Sequence, residues 1–220
     1  MSEITEQVFK KIYWKNFIAI EDELVKINSY VALDQINYKT YSTAFLKLML
    51  EIGSEIDIVC KLLCSIRFGR TDVSKINEYG DCILANIPDF TDVYVIADGI
   101  KENPWGNWQN ESPKWWKVYN GVKHKRFLMA TIDGETQEFY KFANLENVMK
   151  SLMALYQLEV YVLNHLIKEE GKDEIFSFLK SALFSLDGGG WSCSKFHGEN
   201  DAVYTNNRLF FPFSITNAED

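Results

Sequence analysis

A chain of 220 residues with 47% hydrophobic and 15% aromatic side chains has the apolar mass of one sizeable packed domain, which excludes global disorder. A formal net charge of -8 and a pI near 5.0 exclude duplex binding over a broad basic face, but not a local basic pocket. No apolar run approaches the roughly 18–20 residues of a membrane span, and "MSEITEQVFKKIYWKN" lacks a signal-peptide core, so a cytoplasmic protein with no membrane partner is expected.

From the N-terminus, Tyr13, Phe17, Ile20, Leu24, Ile27 and Val31 recur at three and four and predict a helix over 4–32. Glu21, Asp22 and Glu23 fall mostly off that stripe and read as a solvated face. Tyr41, Phe45, Leu48, Ile52, Val59, Leu62 and Ile66 predict a second helix over 40–66, and a shorter one is expected at 73–86, stopped by Ile87-Pro88. "FTDVYVIADG" (90–99) reads as a strand or extended connection, and the Pro- and Gly-bearing 101–113 as an irregular loop. Pro113, with Ser112 as its cap, starts a helix to about 130 that tolerates Gly121 at a cost of about 1 kcal/mol. "IDGET" is a turn. Leu145, Val148, Leu152, Leu155, Val162 and Leu166 predict a long helix over 139–169, and a shorter helix is expected at 172–185. After "DGGGW" the chain turns aromatic and β-like, with Asn206-Asn207 as a hairpin signal. The expected fold class is therefore all-α: an antiparallel helical bundle over 1–186, with a C-terminal appendage of mixed or extended structure over 187–220 that a β-hairpin would satisfy.

Two carboxylates interrupt the apolar stripes. Glu55 lies between Ile52 and Val59, and Glu159 between Leu155 and Val162. An unpaired buried carboxylate costs several kcal/mol, so each calls for a partner, a proton or a place at the rim of the core. One arrangement turns them toward the basic helix, where they would orient Lys123, His124 or Arg126. Asp57 and Lys61 form an ordinary i,i+4 surface pair. Cys60, Cys64, Cys82 and Cys193 complete no zinc spacing and read as reduced thiols, and no metal or cofactor is expected. P-loop, HExxH, GxSxG and dinucleotide patterns are absent, and His165 and His197 have no polar company in sequence.

The stretch "PKWWKVYNGVKHKRF" concentrates five cations (Lys114, Lys117, Lys123, Lys125 and Arg126) and no acid around His124. Helical spacing puts Lys117, Asn120, Gly121 and His124 on one polar face, with Trp115, Tyr119 and Val122 on another. Histidine can move a proton near neutral pH, cations stabilise phosphate charge, and Gly121 removes a side chain that would block approach. A structural histidine among solvated lysines is the competing reading, and the tryptophans read as core anchors rather than base-stacking platforms.

A helical chain carrying "YNGVKH", with "SEIDIVCKLLC" before it, resembles the HEPN superfamily and its abortive-infection relatives over about residues 5–170. HEPN nucleases carry an arginine, a polar residue and a histidine four to six residues on; here Asn120 and His124 match, and Tyr119 stands at the arginine position. The resemblance implies a homodimer that brings two motif helices together for metal-independent RNA cleavage. His124, Asn120 and Arg126 would be catalytic, and Lys117, Lys123 and Lys125 would hold phosphate or RNA, with Tyr119, Glu55 and Glu159 in support. A chain without the arginine can instead keep RNA or nucleotide binding alone. The alternative is a non-catalytic helical module that dimerises or docks an acidic protein partner.

Overall fold

The computed structural model describes residues 4–171 and 181–191, with the backbone of residues 203–205 and 208–210. The first helix starts at Thr5, whose hydroxyl accepts from the Val8 N–H, and runs as α1 (Glu6–Phe9), a π segment (Lys10–Trp14) and α2 (Lys15–Asn28). Ser42 caps α3 (Thr43–Phe68) by accepting from the Phe45 N–H, and Gly69 ends it in the left-handed conformation at φ 66°. α4 (Ile76–Asn86) follows, and Pro88 stops it. β1 (Val93–Ala97) and β2 (Ile100–Glu102) form a hairpin whose two turn residues, Asp98 and Gly99, both have positive φ. α5 (Lys114–His124) leads to a second Asp-Gly hairpin, β3 (Met129–Ile132) with β4 (Glu135–Glu138). The short α6 (Phe139–Phe142) and α7 (Leu145–Glu169) complete the helices.

The chain is mostly helical but not all-α. β5 (Ser185–Gly188) pairs antiparallel with β1, giving a sheet of order β2-β1-β5 that spans the expected boundary at 186/187. Strands of three to five residues carry too few alternations to stand out in a sequence. The backbone of β6 (Val203–Thr205) and β7 (Arg208–Phe210) pairs on either side of Asn206-Asn207, as a hairpin there requires. Of the helix expected at 172–185, residues 172–180 lie outside the described residues and Ser185 is strand; Cys193 and His197 also lie outside them.

The two long helices are parallel, not antiparallel. At one end Leu145 N–H donates to Thr40 O (2.9 Å) and Tyr41 bridges Asn144; at the other His165 Nε2 meets Ile66 O at 3.3 Å. The 76 residues between α3 and α7 bring the chain back to its starting end. The N-terminal helix runs against both: Glu6 N–H donates to Glu170, and Phe17 packs on Tyr156. Twenty of the 25 residues of α7 are buried, so it is the centre of the core rather than a surface helix with one apolar face. No helix of the described residues is long and apolar enough to cross a membrane.

Three local expectations change. Glu21 is buried, and it accepts from the Ser181 hydroxyl, Ala182 N–H (2.9 Å) and Leu183 N–H (3.2 Å). It therefore anchors the segment that enters β5 instead of facing solvent. α5 ends at His124, because the chain turns there into the β3–β4 hairpin. Ser112 does not cap α5; its hydroxyl donates to Asn77 Oδ1 at 2.9 Å.

Two glycines set the position of α5. A Cβ on Gly53 would lie 2.2 Å from the Tyr119 ring, and one on Gly121 would lie 1.9 Å from the Phe139 ring. Gly121 thus accommodates a packed phenyl ring, and not an approaching ligand. Alanine is about 1 kcal/mol better than glycine in a helix interior, but overpacking costs about 1–3 kcal/mol. Gly121→Ala and Gly53→Ala should each lower the urea midpoint, whereas a stabilised Gly121→Ala protein would mean that this face of α5 is open.

Candidate functional site

One side of α5 faces a cleft of about 660 Å³. Trp116, Tyr119, Asn120 and Lys123 form one wall, the turn Ser74–Glu78 at the start of α4 forms the other, and Asp57 of α3 joins them. α5 is held in place from behind: Trp115 is buried edge-on against Trp105, and its Nε1–H donates to Pro104 O at 2.8 Å. Tyr119 lies over Gly53 and packs at a tilt against Trp116, ring centroids 5.0 Å apart. The tryptophans are core anchors, as the sequence indicated, with Trp116 at the cleft edge.

Lys123 Nζ sits 3.3 Å from Tyr119 Oη and 5.4 Å over its ring, and has no carboxylate partner among the described residues. The cleft's two acids are occupied. Asp57 accepts from Tyr79 Oη (2.8 Å) and Lys61 Nζ (2.5 Å), so the expected i,i+4 pair exists but also buttresses Tyr79. Burial, then the Asp57 carboxylate, pushes the Tyr79 hydroxyl up, so it stays protonated and donating. Glu78 accepts from the Ser74 N–H (2.8 Å) and Lys75 N–H (3.1 Å); these bonds, the Ser74 one foremost, hold its carboxyl below the usual range. The first-turn amides of α4 and its positive dipole end complete the wall. The cleft therefore presents Lys123 with both local carboxylates already engaged, Glu78 also pairing with Lys75 Nζ at 3.5 Å.

The expected site residues do not converge. Tyr119, Asn120 and Lys123 line this cleft. Lys117 lies about 120° round the helix from Lys123 and pairs with Glu111 at 2.5 Å, in a separate groove. His124, Lys125 and Arg126 stand exposed where α5 ends, Arg126 Nε donating to Val122 O at 3.3 Å. Phe127, Leu128 and Met129 continue that exposed tip, at 79%, 44% and 60% exposure. Sequence reasoning missed Lys75, Asn77 and Asp57; the acidic Glu78 just inside a helix start was the signal that marked the α4 N-terminus.

Glu55 and Glu159 do not orient the basic helix. Gly53 and Asp57 point α3 toward α5, and Glu55, two residues from each, falls on the opposite side. There Glu55 and Glu159 lie near enough to each other and to Tyr13 for their charges to act on one another's ionisation. Glu159 is fully buried, and neither carboxyl oxygen has a hydrogen-bond partner among the described residues. Burial, then the Glu55 charge, holds its carboxyl well above the usual range. Cys60, Cys64 and Cys82 are buried free thiols; burial pushes Cys60 and Cys64 up, which makes them poor nucleophiles. His165 borders an apolar cavity of about 890 Å³ with Ile12 and Leu166, and burial lowers its pKa.

A mostly helical chain with a lysine-bearing cleft between two helices is what the fold and site define. No protein-family model, curated protein or solved structure matches it.

The raised Glu159 pKa has a definite sign in stability. The folded chain holds the proton more tightly than the unfolded one, so the contribution is complete below about 4.5 and is lost as pH rises through the folded value. Wild-type stability should fall relative to Glu159→Gln as pH rises above about 4.5. Parallel denaturation curves for the two proteins over that range would contradict it.

Proposed function

We propose that this protein binds a phosphate-bearing ligand, RNA or a nucleotide, in the cleft between α5 and the start of α4. The observation that carries the reading is Lys123, a cation without a carboxylate partner among the described residues, opposite the start of α4, where Lys75 pairs with Glu78 at 3.5 Å. Phosphate contacts by lysine and helix N-terminal amides are directional and local, so an acidic chain can make them. In keeping with the HEPN-like resemblance, the helices are read as a HEPN-type bundle acting in the cytoplasm of a bacterium, in stress or phage defence of the abortive-infection or toxin–antitoxin kind. Binding is the primary activity. Metal-independent cleavage falls to His124, which lies outside the cleft and would reach RNA lying across the α5 tip of a homodimer. Arg126 and Lys125 at that tip supply the charge that Tyr119 does not.

A second reading has its own support. The run Lys123–Met129 is exposed throughout and joins cations to three apolar side chains, which fits a module that docks an acidic protein partner or a second copy.

Anisotropy of a labelled single-stranded RNA separates the two. Lys123→Ala should weaken binding roughly tenfold and reduce the salt slope by about 1. His124→Ala should keep binding and lose any cleavage measured in EDTA. RNA and nucleotide binding that is absent, or indifferent to Lys123, sinks the cleft reading. A dimer seen by sedimentation and dispersed by Phe127→Glu would then favour the docking module.

A further inference from the structure

We propose that the cavity where the start of the N-terminal helix meets the last turns of α3 and α7 binds a small amphipathic amine, an apolar body carrying one cationic N–H head. This cavity shares no residue with the α5 cleft, so it stands or falls apart from the RNA reading.

The cavity measures about 890 Å³, within the roughly 300–1,000 Å³ of small-molecule sites. Val8 and Ile12 of the N-terminal helix, Leu62 and Ile66 of α3, and Leu166 of α7 make its walls, with Tyr13 beside them. Val8 and Ile12 stand one turn apart and are 41% and 56% exposed. Singly exposed apolar side chains are ordinary on a surface, but these two flank one cavity whose far wall is the buried Leu166. Ile12 and Tyr13 both belong to the π segment Lys10–Trp14, a local widening of the helix that recurs at functional sites.

The polar lining selects the head group. Ser65, His165 and Glu169 join the apolar walls. A carbonyl oxygen only accepts, so the 3.3 Å contact with Ile66 O puts the imidazole hydrogen on Nε2. Burial lowers the His165 pKa, which keeps the ring neutral near pH 7.5 and leaves Nδ1 as an acceptor. Glu169, one turn further along α7, is exposed and forms no salt bridge with any described residue. Among the described residues no lysine or arginine lines the cavity; Arg67 and Lys168 adjoin it in the chain without entering the lining. Imidazole and carboxylate therefore accept, the Ser65 and Tyr13 hydroxyls can do either, and the one formal charge is negative. A cationic donor complements that set. A carboxylate or phosphate head would instead meet Glu169 and an imidazole lone pair.

The probes 4-phenylbutylamine, 4-phenylbutanol and 4-phenylbutanoic acid share one apolar body and differ only at the head. Titrated into the full chain near pH 7.5 and followed by protein NMR, the amine should bind with a Kd on the order of 0.1–1 mM, the alcohol more weakly and the acid not at all. Glu169→Gln should weaken the amine about threefold and leave the alcohol unchanged. Ile12→Lys sets a cation at the exposed mouth and should abolish amine binding in a folded protein. If Ile12→Lys does not fold, Val8→Lys takes its place. An amine that does not saturate the protein by about 10 mM overturns the site, and so does an acid that binds as tightly as the amine. Amine binding that is unchanged in both variants overturns it too, because it places the ligand elsewhere on the acidic surface.

Discussion

A helix buried on every side has to satisfy its polar groups from within the protein, and α7 sets this condition for the whole fold. Asn144 caps it by accepting from the Asn147 N–H, and the Asn147 side chain in turn donates to Phe142 O. Gln157 donates to Phe90 O at 2.8 Å, Ala154 O accepts from Trp105 Nε1–H at 3.2 Å, and Tyr161 Oη accepts from Trp191 Nε1–H at 3.0 Å. Each bond draws a different non-helical segment onto α7: the turn before β1, the tryptophan loop, and the chain after β5. The irregular parts are thus tied to the core through side-chain-to-backbone bonds that a helical stripe cannot announce. Trp105 and Trp115, in edge-on contact, tie α5 to the tryptophan loop and through it to α7.

The periodicity of apolar residues identified the helices because it is a local property. The stripes of the first, second and last helices all end within a few residues of the observed bounds, since caps such as Ser42 and Asn144 are local too. Partnership between helices is a different kind of information. The sequence placed Lys117, Asn120 and His124 on one face, and the geometry of a helix does so; what it could not supply was that Glu111 claims Lys117 and that α5 stops at His124. Gly121 reads as an opening until Phe139 arrives from 18 residues further on. Glu21 reads as solvated until Ser181, 160 residues away, closes over it. In each case the missing datum is a neighbour distant in sequence, so no refinement of a local pattern would have recovered it.

An acidic chain can carry a site for phosphate because charge acts over about 8–10 Å at ordinary ionic strength. Net charge governs encounter at longer range, and the arrangement of a few groups governs what is held. In the cleft Asp57 and Glu78 are engaged by Lys61, Tyr79 and backbone amides, so their charge is largely spent before a ligand arrives. The exposed tip from Lys123 to Met129 shares Lys123 with the cleft. Ligand entering the cleft and a surface crossing the tip would therefore compete for one ammonium group.

Glu159 is the place where fold and economy part company. Leucine in its position would extend the apolar face that Leu155 and Val162 already make, and replacing buried charge by packed hydrocarbon is often neutral or stabilising. A carboxyl group retained there, with a second carboxyl opposite, lowers the stability that the rest of α7 builds. Violations of the local rules in otherwise consistent sequences concentrate where a chain does something besides fold. Glu55 strengthens the point, because it breaks a different stripe on a different helix and yet its charge acts on Glu159. Two independent exceptions converging on one spot are hard to attribute to loose packing at the rim, and Glu159 is not at the rim. The pair was visible in the sequence as two anomalies; only the parallel alignment of α3 and α7 makes them one feature.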